Sequence, residues 1–377
     1  MPISPPFTIG IEEEYHLVDL ESRGIAVSPP RELFDACSDA LGDNVSHEFK
    51  ASQIEIGTPV CASIAEGRDH LVRMRKAIAD AGRAHGIQPL AAATHPFSRW
   101  ADTETSEGER YQEIAKDLQD VVRRLVISGM HVHVGLGDDD ELRIDLLNQA
   151  AYFLPHILAL TTSSPFWQGR DTGMMSYRLS VFTELPRTGL PDRFDTYVDY
   201  KRHIDVLVRA GVLQDATKIW WDIRPSDRFP TLEMRICDVC TDVDDAAAVA
   251  ALFVSILRML TRLKQNNQRW RTYNNMLVAE NRWRAQRYGI DESLIDFGKG
   301  TLVPVPDLVE ELIDLTGEDA EALGCSREIA HLRTILERGT SAHIQRQVYD
   351  LAVEGGASHD DALNAVVDRL LELTLKA

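Results

Sequence analysis

The segment Ile9–Tyr15, which reads Ile-Gly-Ile-Glu-Glu-Glu-Tyr, is the stretch of the chain from which the fold can be argued. Its alternation and its content of strand-forming residues predict a β-strand within residues 7–18. Successive side chains of a strand point to opposite faces, so Glu12 and Glu14 share one face. The isoleucines and the tyrosine lie on the other face, which is apolar except for Glu13.

Three later segments repeat this pattern of one apolar and one polar face: Gln53–Ile56, Met130–Val134 and Leu232–Ile236. Each apolar face can pack on helices. The opposite faces carry Gln53, Glu55, His131, His133, Glu233 and Arg235. If the four strands lie in one sheet, these side chains and the two glutamates of the first strand form a single polar wall.

The composition of this wall favours a divalent cation site. Several carboxylates in close proximity cannot all stay ionised without a cation between them. Oxygen ligands with an imidazole suit hard ions such as Mg²⁺ or Mn²⁺, and the lack of thiolates argues against a structural zinc site. The alternative is that each alternation marks an ordinary half-solvated antiparallel strand. A solvated face usually includes lysine, and these faces carry none, which favours the site.

Composition limits the classes of partner. The chain has 377 residues and a formal net charge of −19, and it contains no basic run typical of nucleic-acid binding. Its five cysteines do not describe a disulfide framework, and the N-terminus lacks the pattern of a secretory signal. The longest apolar stretch, residues 246–257, is too short to span a bilayer and predicts a buried helix. We therefore expect a cytoplasmic protein without nucleic-acid or membrane partners.

The order of predicted elements indicates the α+β class. Residues 1–243 mix strands with helices, and residues 244–377 are almost entirely helical in pattern. The predicted helices include residues 65–85, 109–127, 141–160, 244–264 and 274–288, and Pro155 is expected to kink the third of them. No linker divides the chain, so we predict a single catalytic domain over residues 1–377.

Arginines provide the second functional signal. The sequence has neither a P-loop nor a dinucleotide-binding glycine pattern, so metal ions and arginines would have to hold the phosphates of any bound nucleotide. Planar guanidinium groups suit such contacts. Arg224 ends a predicted strand before a turn. Arg282 and Arg287 flank Trp283 on a predicted helix, where a surface role is the alternative.

Two other features leave alternatives open or carry little signal. Cys237 and Cys240 form a single C-x-x-C pattern with no second pair, which predicts ordinary buried thiols rather than a metal or redox site. His95 follows Thr94 and precedes Pro96. It is either a loop residue near the site or a turn residue, and the sequence does not separate the two.

Five motifs, in order along nearly the whole chain, resemble the type 2 glutamate–cysteine ligase family of carboxylate–amine ligases. They are Phe7–Tyr15, Thr94–Phe97, Gly129–Gly135, Trp221–Ser226 and Asn281–Gly289. The resemblance implies a glutamine synthetase-like fold, in which a curved antiparallel sheet has helices on its convex face and a helical C-terminal portion. The active-site funnel would lie on the concave face.

The resemblance also implies roles for the wall residues. The divalent ions would be bound by Glu12, Glu14, Glu55, His131 and Glu233. We assign nucleotide binding to His133, Arg282 and Arg287, and contacts to the reacting phosphate to Arg235 and Arg224. We assign the amino-acid pocket to Arg110, Tyr111 and Arg178.

The implied reaction uses ATP with Mg²⁺ or Mn²⁺. The γ-carboxylate of glutamate would attack ATP to give an acyl phosphate, and an amine such as cysteine would then displace phosphate. Two alternatives remain open: a metal-dependent phosphotransferase acting on a small guanidino or carboxyl compound, and a non-catalytic nucleotide-sensing protein. A homodimer is expected because symmetric assemblies are common.

Overall fold

A computed structural model describes residues 5–106, 115–116 and 118–376. The strands in these ranges are β1 (Ile9–Asp19), β2 (Val45–His47), β3 (Gln53–Gly57), β4 (Ile87–Leu90), β5 (Met130–Gly135), β6 (Phe166–Trp167), β7 (Arg170–Asp171), β8 (Thr188–Gly189), β9 (Trp220–Trp221), β10 (Ile223–Pro225), β11 (Thr231–Met234), β12 (Ser293–Asp296) and β13 (Thr301–Pro304).

The helices in the same ranges are α1 (Arg31–Leu41), α2 (Ile64–Gly82), α3 (Asp120–Arg123), α4 (Asp140–Ala150), α5 (Leu154–Thr161), α6 (Arg178–Phe182), α7 (Tyr197–Arg209), α8 (Val243–Gln265), α9 (Asn275–Tyr288), α10 (Val305–Leu323), α11 (Ser326–Arg338), α12 (Ser341–Glu354) and α13 (His359–Thr374).

The largest sheet is antiparallel, and β1 lies near its centre. Its strand order is β10-β11-β5-β1-β3-β2, and β4 also pairs with β1. Residues 9–13 of β1 pair with β5, residues 12–16 with β3 and residues 16–19 with β4. The four segments with alternating faces therefore lie in one sheet, as predicted.

The sheet packs against helices, chiefly α2 and also α4, α13 and α8. The largest hydrophobic cluster runs from Phe7 to Ile335, so strands and C-terminal helices contribute to the same core. Helix α8 is long and apolar enough to cross a membrane by length and composition, yet 83% of its apolar window is buried inside the protein. The expectation of a buried helix at residues 246–257 is confirmed.

Glu13, the exception on the apolar face of β1, is explained by a fully buried ion pair. Its carboxylate accepts two hydrogen bonds from Arg75 of α2, at 2.6 and 2.9 Å, and a third from the Tyr15 hydroxyl. The remaining guanidinium hydrogens go to backbone carbonyls of Thr241, Cys240 and Thr374. Arg75 thus ties the central strand to the start of α8 and to the C-terminal helix.

The structure corrects several predicted element boundaries. Pro155 does not kink one long helix. Instead α4 ends at Ala150, a 3-10 turn covers residues 151–153, and Pro155 lies in the first turn of α5, where its missing N–H costs no hydrogen bond. The helical C-terminal portion is interrupted by the β12–β13 hairpin. A helix is predicted over residues 109–127. Among the described residues of that range, helix α3 ends at Arg123, and residues 124–127 are not helical.

Candidate active site

The register of the sheet places the predicted wall residues beside one another. Glu14 lies opposite Glu55 across the β1–β3 pair, and Glu12 lies opposite His131 across the β1–β5 pair. Glu233 lies opposite both His133 and Arg224 on its two neighbouring strands. Opposite residues of antiparallel strands share a face, so the polar groups form one continuous wall.

Direct contacts join the members of this wall. The Glu12 carboxylate lies 3.0 Å from His131 Nδ1 and 3.3 Å from His133 Nε2. Glu14 accepts a hydrogen bond of 2.6 Å from the backbone N–H of Gly129, just before β5. His133 is held from its other side by a hydrogen bond of 2.9 Å between Nδ1 and the Thr231 hydroxyl.

The wall contains three groups of side chains whose ligand atoms lie within 4.8 Å of one another. The groups are Glu12 with Glu55 and His131, Glu12 with His133 and Glu233, and Glu14 with Glu48 and Glu55. Five carboxylates and two imidazoles in this arrangement match the donor set of hard divalent cations. The residues present therefore fit the metal ions that the sequence implies.

The pKa values show how crowded the acidic end of the wall is. Burial, with further repulsion from Glu48, Glu12 and Glu14, raises the pKa of Glu55 well above its ordinary value. Burial and the charge of Glu14 raise the pKa of Glu48 to about 7. Burial alone would raise the pKa of Glu12 too, but the hydrogen bonds from His131 and His133 hold it well below its ordinary value. A cation between the acidic groups would relieve this repulsion.

Two arginines flank Glu233 on the wall. Arg224 contacts the Glu233 carboxylate at 2.8 and 3.3 Å, and Arg235 contacts the same carboxylate from the other side. Although burial would raise the pKa of Glu233, these two guanidiniums keep it well below its ordinary value. The buried Nε of Arg235 has no hydrogen-bond partner among the described residues. The guanidiniums of Arg224 and Arg235 therefore lie as fixed positive charges beside the candidate cation ligands.

A cavity of about 580 Å³ lies over the wall. This volume suits a small-molecule site. Its lining includes the seven candidate cation ligands of the wall, together with three arginines: Glu12, Glu14, Glu48, Glu55, His131, His133, Glu233, Arg178, Arg224 and Arg235. The residues of the sheet that are predicted to bind metal ions, phosphate and nucleotide therefore line one cavity.

Other predicted site residues are not brought to this cavity. Arg282 forms a buried ion pair with Asp222, at 2.6 Å, and Arg287 donates to the carbonyl of Gly173 and lies over the ring of Tyr288. Neither arginine lines the cavity. Asp222, the partner of Arg282, lies between β9 and β10, and its carbonyl accepts hydrogen bonds from the backbone N–H groups of Arg235 and Ile236. Arg110 and Tyr111 lie outside the described residues.

Glu48 is a candidate ligand that sequence reasoning missed. It follows β2 on a connecting loop, where no alternation marks the direction of a side chain. Its proximity to Glu14 and Glu55 comes from the β2–β3 pairing, which places Ser46 opposite Glu55. The only signal available was an additional glutamate just before a strand that carries a predicted ligand.

His95 and the cysteine pair both lie in the protein interior. His95 is buried, accepts hydrogen bonds from the backbone N–H groups of Phe97 and Ser98, and is absent from the cavity lining. Burial lowers its pKa to about 4, so it is a neutral turn residue. Cys237 and Cys240 are both buried, as the prediction of buried thiols requires.

Known proteins are similar to this chain in sequence and in fold. The sequence matches the profile of "Glutamate-cysteine ligase family 2(GCS2)" over residues 8–368. The chain belongs to glutamate–cysteine ligase family 2. A provisionally named glutamate–cysteine ligase 2 of Rhodospirillum rubrum is 57% identical over 98% of this chain and 96% of its own length. A family 2 relative with the same name from a Jannaschia species is 51% identical over 97% of this chain and 96% of its own length.

Solved structures show the same fold at low sequence identity. A glutamate–cysteine ligase from Francisella tularensis in complex with AMP has a TM-score of 0.69 at 14% identity, over 100% of this chain and 90% of that one. A bifunctional glutathione synthetase from Pasteurella multocida has the same TM-score and identity, over 98% of this chain and 52% of that one. The family 2 chain has the glutamine synthetase-like ligase fold.

Family membership and the cavity give the reaction class. The family 2 chain is an ATP-dependent ligase that forms a carbon–nitrogen bond between a carboxylate and an amine. The acids, imidazoles and arginines of its wall are chemically suited to such a reaction, because negative charge accumulates on phosphate oxygens when ATP activates a carboxylate.

Proposed function

We propose that this protein uses ATP with Mg²⁺ or Mn²⁺ to join the γ-carboxylate of glutamate to an amine, of which cysteine is the first candidate. The observation that carries the proposal is the convergence of three cation-ligand groups and two arginines in one cavity. The names of the relatives, which describe glutamate and cysteine as the substrates, support the choice of donor and acceptor.

The wall residues divide into two tasks. Glu12, Glu14, Glu55, His131 and Glu233, with Glu48 added by the structure, would hold the divalent ions. Bound there, the ions would neutralise phosphate oxygens during transfer. His133 lies between Glu12 and Glu233, and we assign it a contact to the nucleotide. We do not extend the nucleotide site to Arg282 and Arg287, because their guanidiniums are engaged elsewhere.

The arginines would stabilise the charge that develops during transfer. Arg235 donates to Glu233 through Nη1 and lies 3.5 Å from His131 Nδ1, so its guanidinium is oriented before any substrate binds. Arg224 is fixed by Glu233 and by the carbonyls of Thr217 and Ile219. Preoriented donors need no reorganisation during the reaction, which is the physical basis of their contribution to the rate.

The test is product formation by the purified protein. With MgATP, glutamate and cysteine we expect equal amounts of ADP and a γ-glutamyl amide, measured by a coupled assay and mass spectrometry, and no product when EDTA removes the metal. A panel of other amino acids and amines locates the preferred acceptor. ADP formed with glutamate but without any amide would indicate the phosphotransferase instead. Thermal stabilisation by MgADP without turnover would indicate nucleotide sensing, and the absence of both turnover and stabilisation would contradict the proposal.

The cellular setting is part of the proposal. All five cysteines are free and buried in the structure, which is compatible with a reducing compartment such as the cytoplasm. We propose small-molecule substrates as the partners and a homodimer as the assembly, to be checked by light scattering of the purified protein.

A further inference from the structure

A further group of side chains with cation-ligand chemistry lies outside the cavity, between the end of β3 and the first two turns of α2. Cys61, Glu66 and His70 each offer one ligand atom, and the three atoms lie within 4.8 Å of one another. None of the three residues lines the cavity over the wall. This group includes a thiol, whereas the three groups of the wall consist of carboxylates and imidazoles. The proposed ligase reaction leaves it without a role.

Cys61 is positioned by the central strand of the sheet and by α2. Its backbone N–H donates to the carbonyl of Ile9 at 2.8 Å, and its carbonyl accepts from the N–H of Ile9 at 2.9 Å. The side chain is fully buried. Its sulfur faces α2, because a Cβ atom added at Gly67 would lie 3.9 Å from Sγ. The thiol therefore has a fixed position beside the first turns of the helix.

The other two side chains lie on one face of α2, since residues four positions apart on a helix are neighbours. Glu66 accepts a hydrogen bond of 2.8 Å from the N–H of Ala62, which holds its carboxylate beside Cys61. A carboxylate has further acceptor positions, so this bond leaves room for a cation. His70 is half-buried and forms no hydrogen bond or ion pair with any residue in the described part of the chain. Its imidazole is therefore available as a ligand.

The donor atoms of this group indicate which ion it would take. A thiolate, an imidazole and a carboxylate suit zinc and other borderline divalent ions, whereas Mg²⁺ prefers oxygen ligands. Around a tetrahedral zinc ion, bonds of about 2.0–2.3 Å place the ligand atoms about 3.5 Å apart. Small rotations of the Glu66 and His70 side chains are sufficient to reach that spacing. Three protein ligands leave the fourth position of the ion to water.

The charges of the ligands also match a divalent ion. Cys61 as a thiolate and Glu66 as a carboxylate supply two negative charges, which neutralise the ion. Burial and the charge of Glu66 raise the pKa of the Cys61 thiol, so the thiol is protonated at neutral pH when no ion is bound. Binding of the ion would release this proton, and the apparent affinity is therefore expected to rise with pH.

We propose that Cys61, Glu66 and His70 bind one zinc-class divalent ion, separately from the ions of the wall. The ion would link the segment after β3 to α2 and, through the backbone pairing of Cys61 with Ile9, to the start of β1. Binding to the folded state alone stabilises it, so the bound ion would stabilise the sheet that carries the wall. The inference does not depend on the ligase reaction, because none of the three ligands belongs to the wall.

Cobalt binding tests the site, because a thiolate bound to Co²⁺ gives a near-ultraviolet charge-transfer band that oxygen and nitrogen ligands do not give. The untagged, reduced protein is expected to develop this band with an equimolar amount of Co²⁺. Zn²⁺ should abolish the band by displacing Co²⁺, whereas excess Mg²⁺ should leave it unchanged. Cys61→Ser should lack the band, and His70→Asn should weaken Co²⁺ binding at least about tenfold, since loss even of a group that only supports a ligand costs this much.

Matched controls show whether the band belongs to this group. Cys37→Ser removes another buried thiol, His85→Asn removes an exposed imidazole just after α2, and Glu12→Gln alters the wall, so all three should retain the band. His70→Asn keeps the inference testable if Cys61→Ser does not fold, because His70 lies only half-buried on the helix. No band in the unmodified protein, a band that Cys61→Ser retains, or an unchanged Co²⁺ affinity of His70→Asn would overturn the inference.

Discussion

Glu12→Gln is expected to lower kcat by about 10²–10³-fold while the protein stays folded. Glu12 belongs to two of the three cation-ligand groups and contacts both imidazoles of the wall. The amide keeps the shape of the side chain but removes the negative charge, so two cation positions lose a ligand. Loss of a group that stabilises charge in the transition state typically costs a factor of this size. Glutamate-dependent ADP release under saturating MgATP measures it.

Glu21→Gln is the matched control for this experiment. Glu21 is exposed in the turn after β1, so the same change of charge occurs on the same segment but outside the cavity. Its activity should equal that of the unmodified protein. If Glu12→Gln also retained full activity, the assignment of the wall as the cation site would be wrong.

The Glu233→Gln variant should be inactive as well, because it also leaves Arg224 and Arg235 without their counterion.

Breaking the buried pair between Glu13 and Arg75 should have the largest effect on stability. Arg75→Met leaves the carboxylate of Glu13 buried without its partner, and removal of one member of such a pair costs about 3–5 kcal/mol. Urea unfolding followed by circular dichroism should show a large decrease in the midpoint. The Glu13→Gln and Arg75→Met double variant should recover part of the loss, because no uncompensated charge remains.

An exposed pair on the C-terminal helices provides the control. Arg333 and Glu310 lie 2.7 Å apart, with side chains about half exposed, and surface pairs of this kind contribute about 1 kcal/mol or less. Arg333→Met should therefore barely move the unfolding midpoint. Equal effects of Arg75→Met and Arg333→Met would show that the buried pair does not anchor β1 to α2.

The wall was predictable because a strand repeats every two residues and the sequence alternates on four strands. Glu12 and Glu14, the two histidines of β5, and Glu233 with Arg235 each share a face by this rule alone, and the observed register places the faces side by side. The four strands are expected in one sheet if their apolar faces pack against the same hydrophobic core.

The remaining site residues depend on tertiary contacts that no local pattern encodes. Glu48 reaches the wall from a loop, and its direction is set by the pairing of β2 with β3. Arg282 lies on helix α9 within the motif Asn281–Gly289. Its guanidinium is paired with Asp222, which lies 60 positions earlier in the chain. Arg75 and Glu13 lie 62 positions apart, so the role of the exceptional glutamate on β1 was not visible either.

Binding of divalent cations by the wall is the central claim, and Mn²⁺ binding tests it most directly. Titration of the protein with Mn²⁺, with free Mn²⁺ followed by electron paramagnetic resonance in the presence and absence of ADP, gives the number of ions bound per chain. We predict saturable binding by the unmodified protein and by Glu21→Gln, and fewer bound ions for Glu12→Gln. Binding by Glu12→Gln that equals the other two, or no saturable binding by any of them, would contradict the claim.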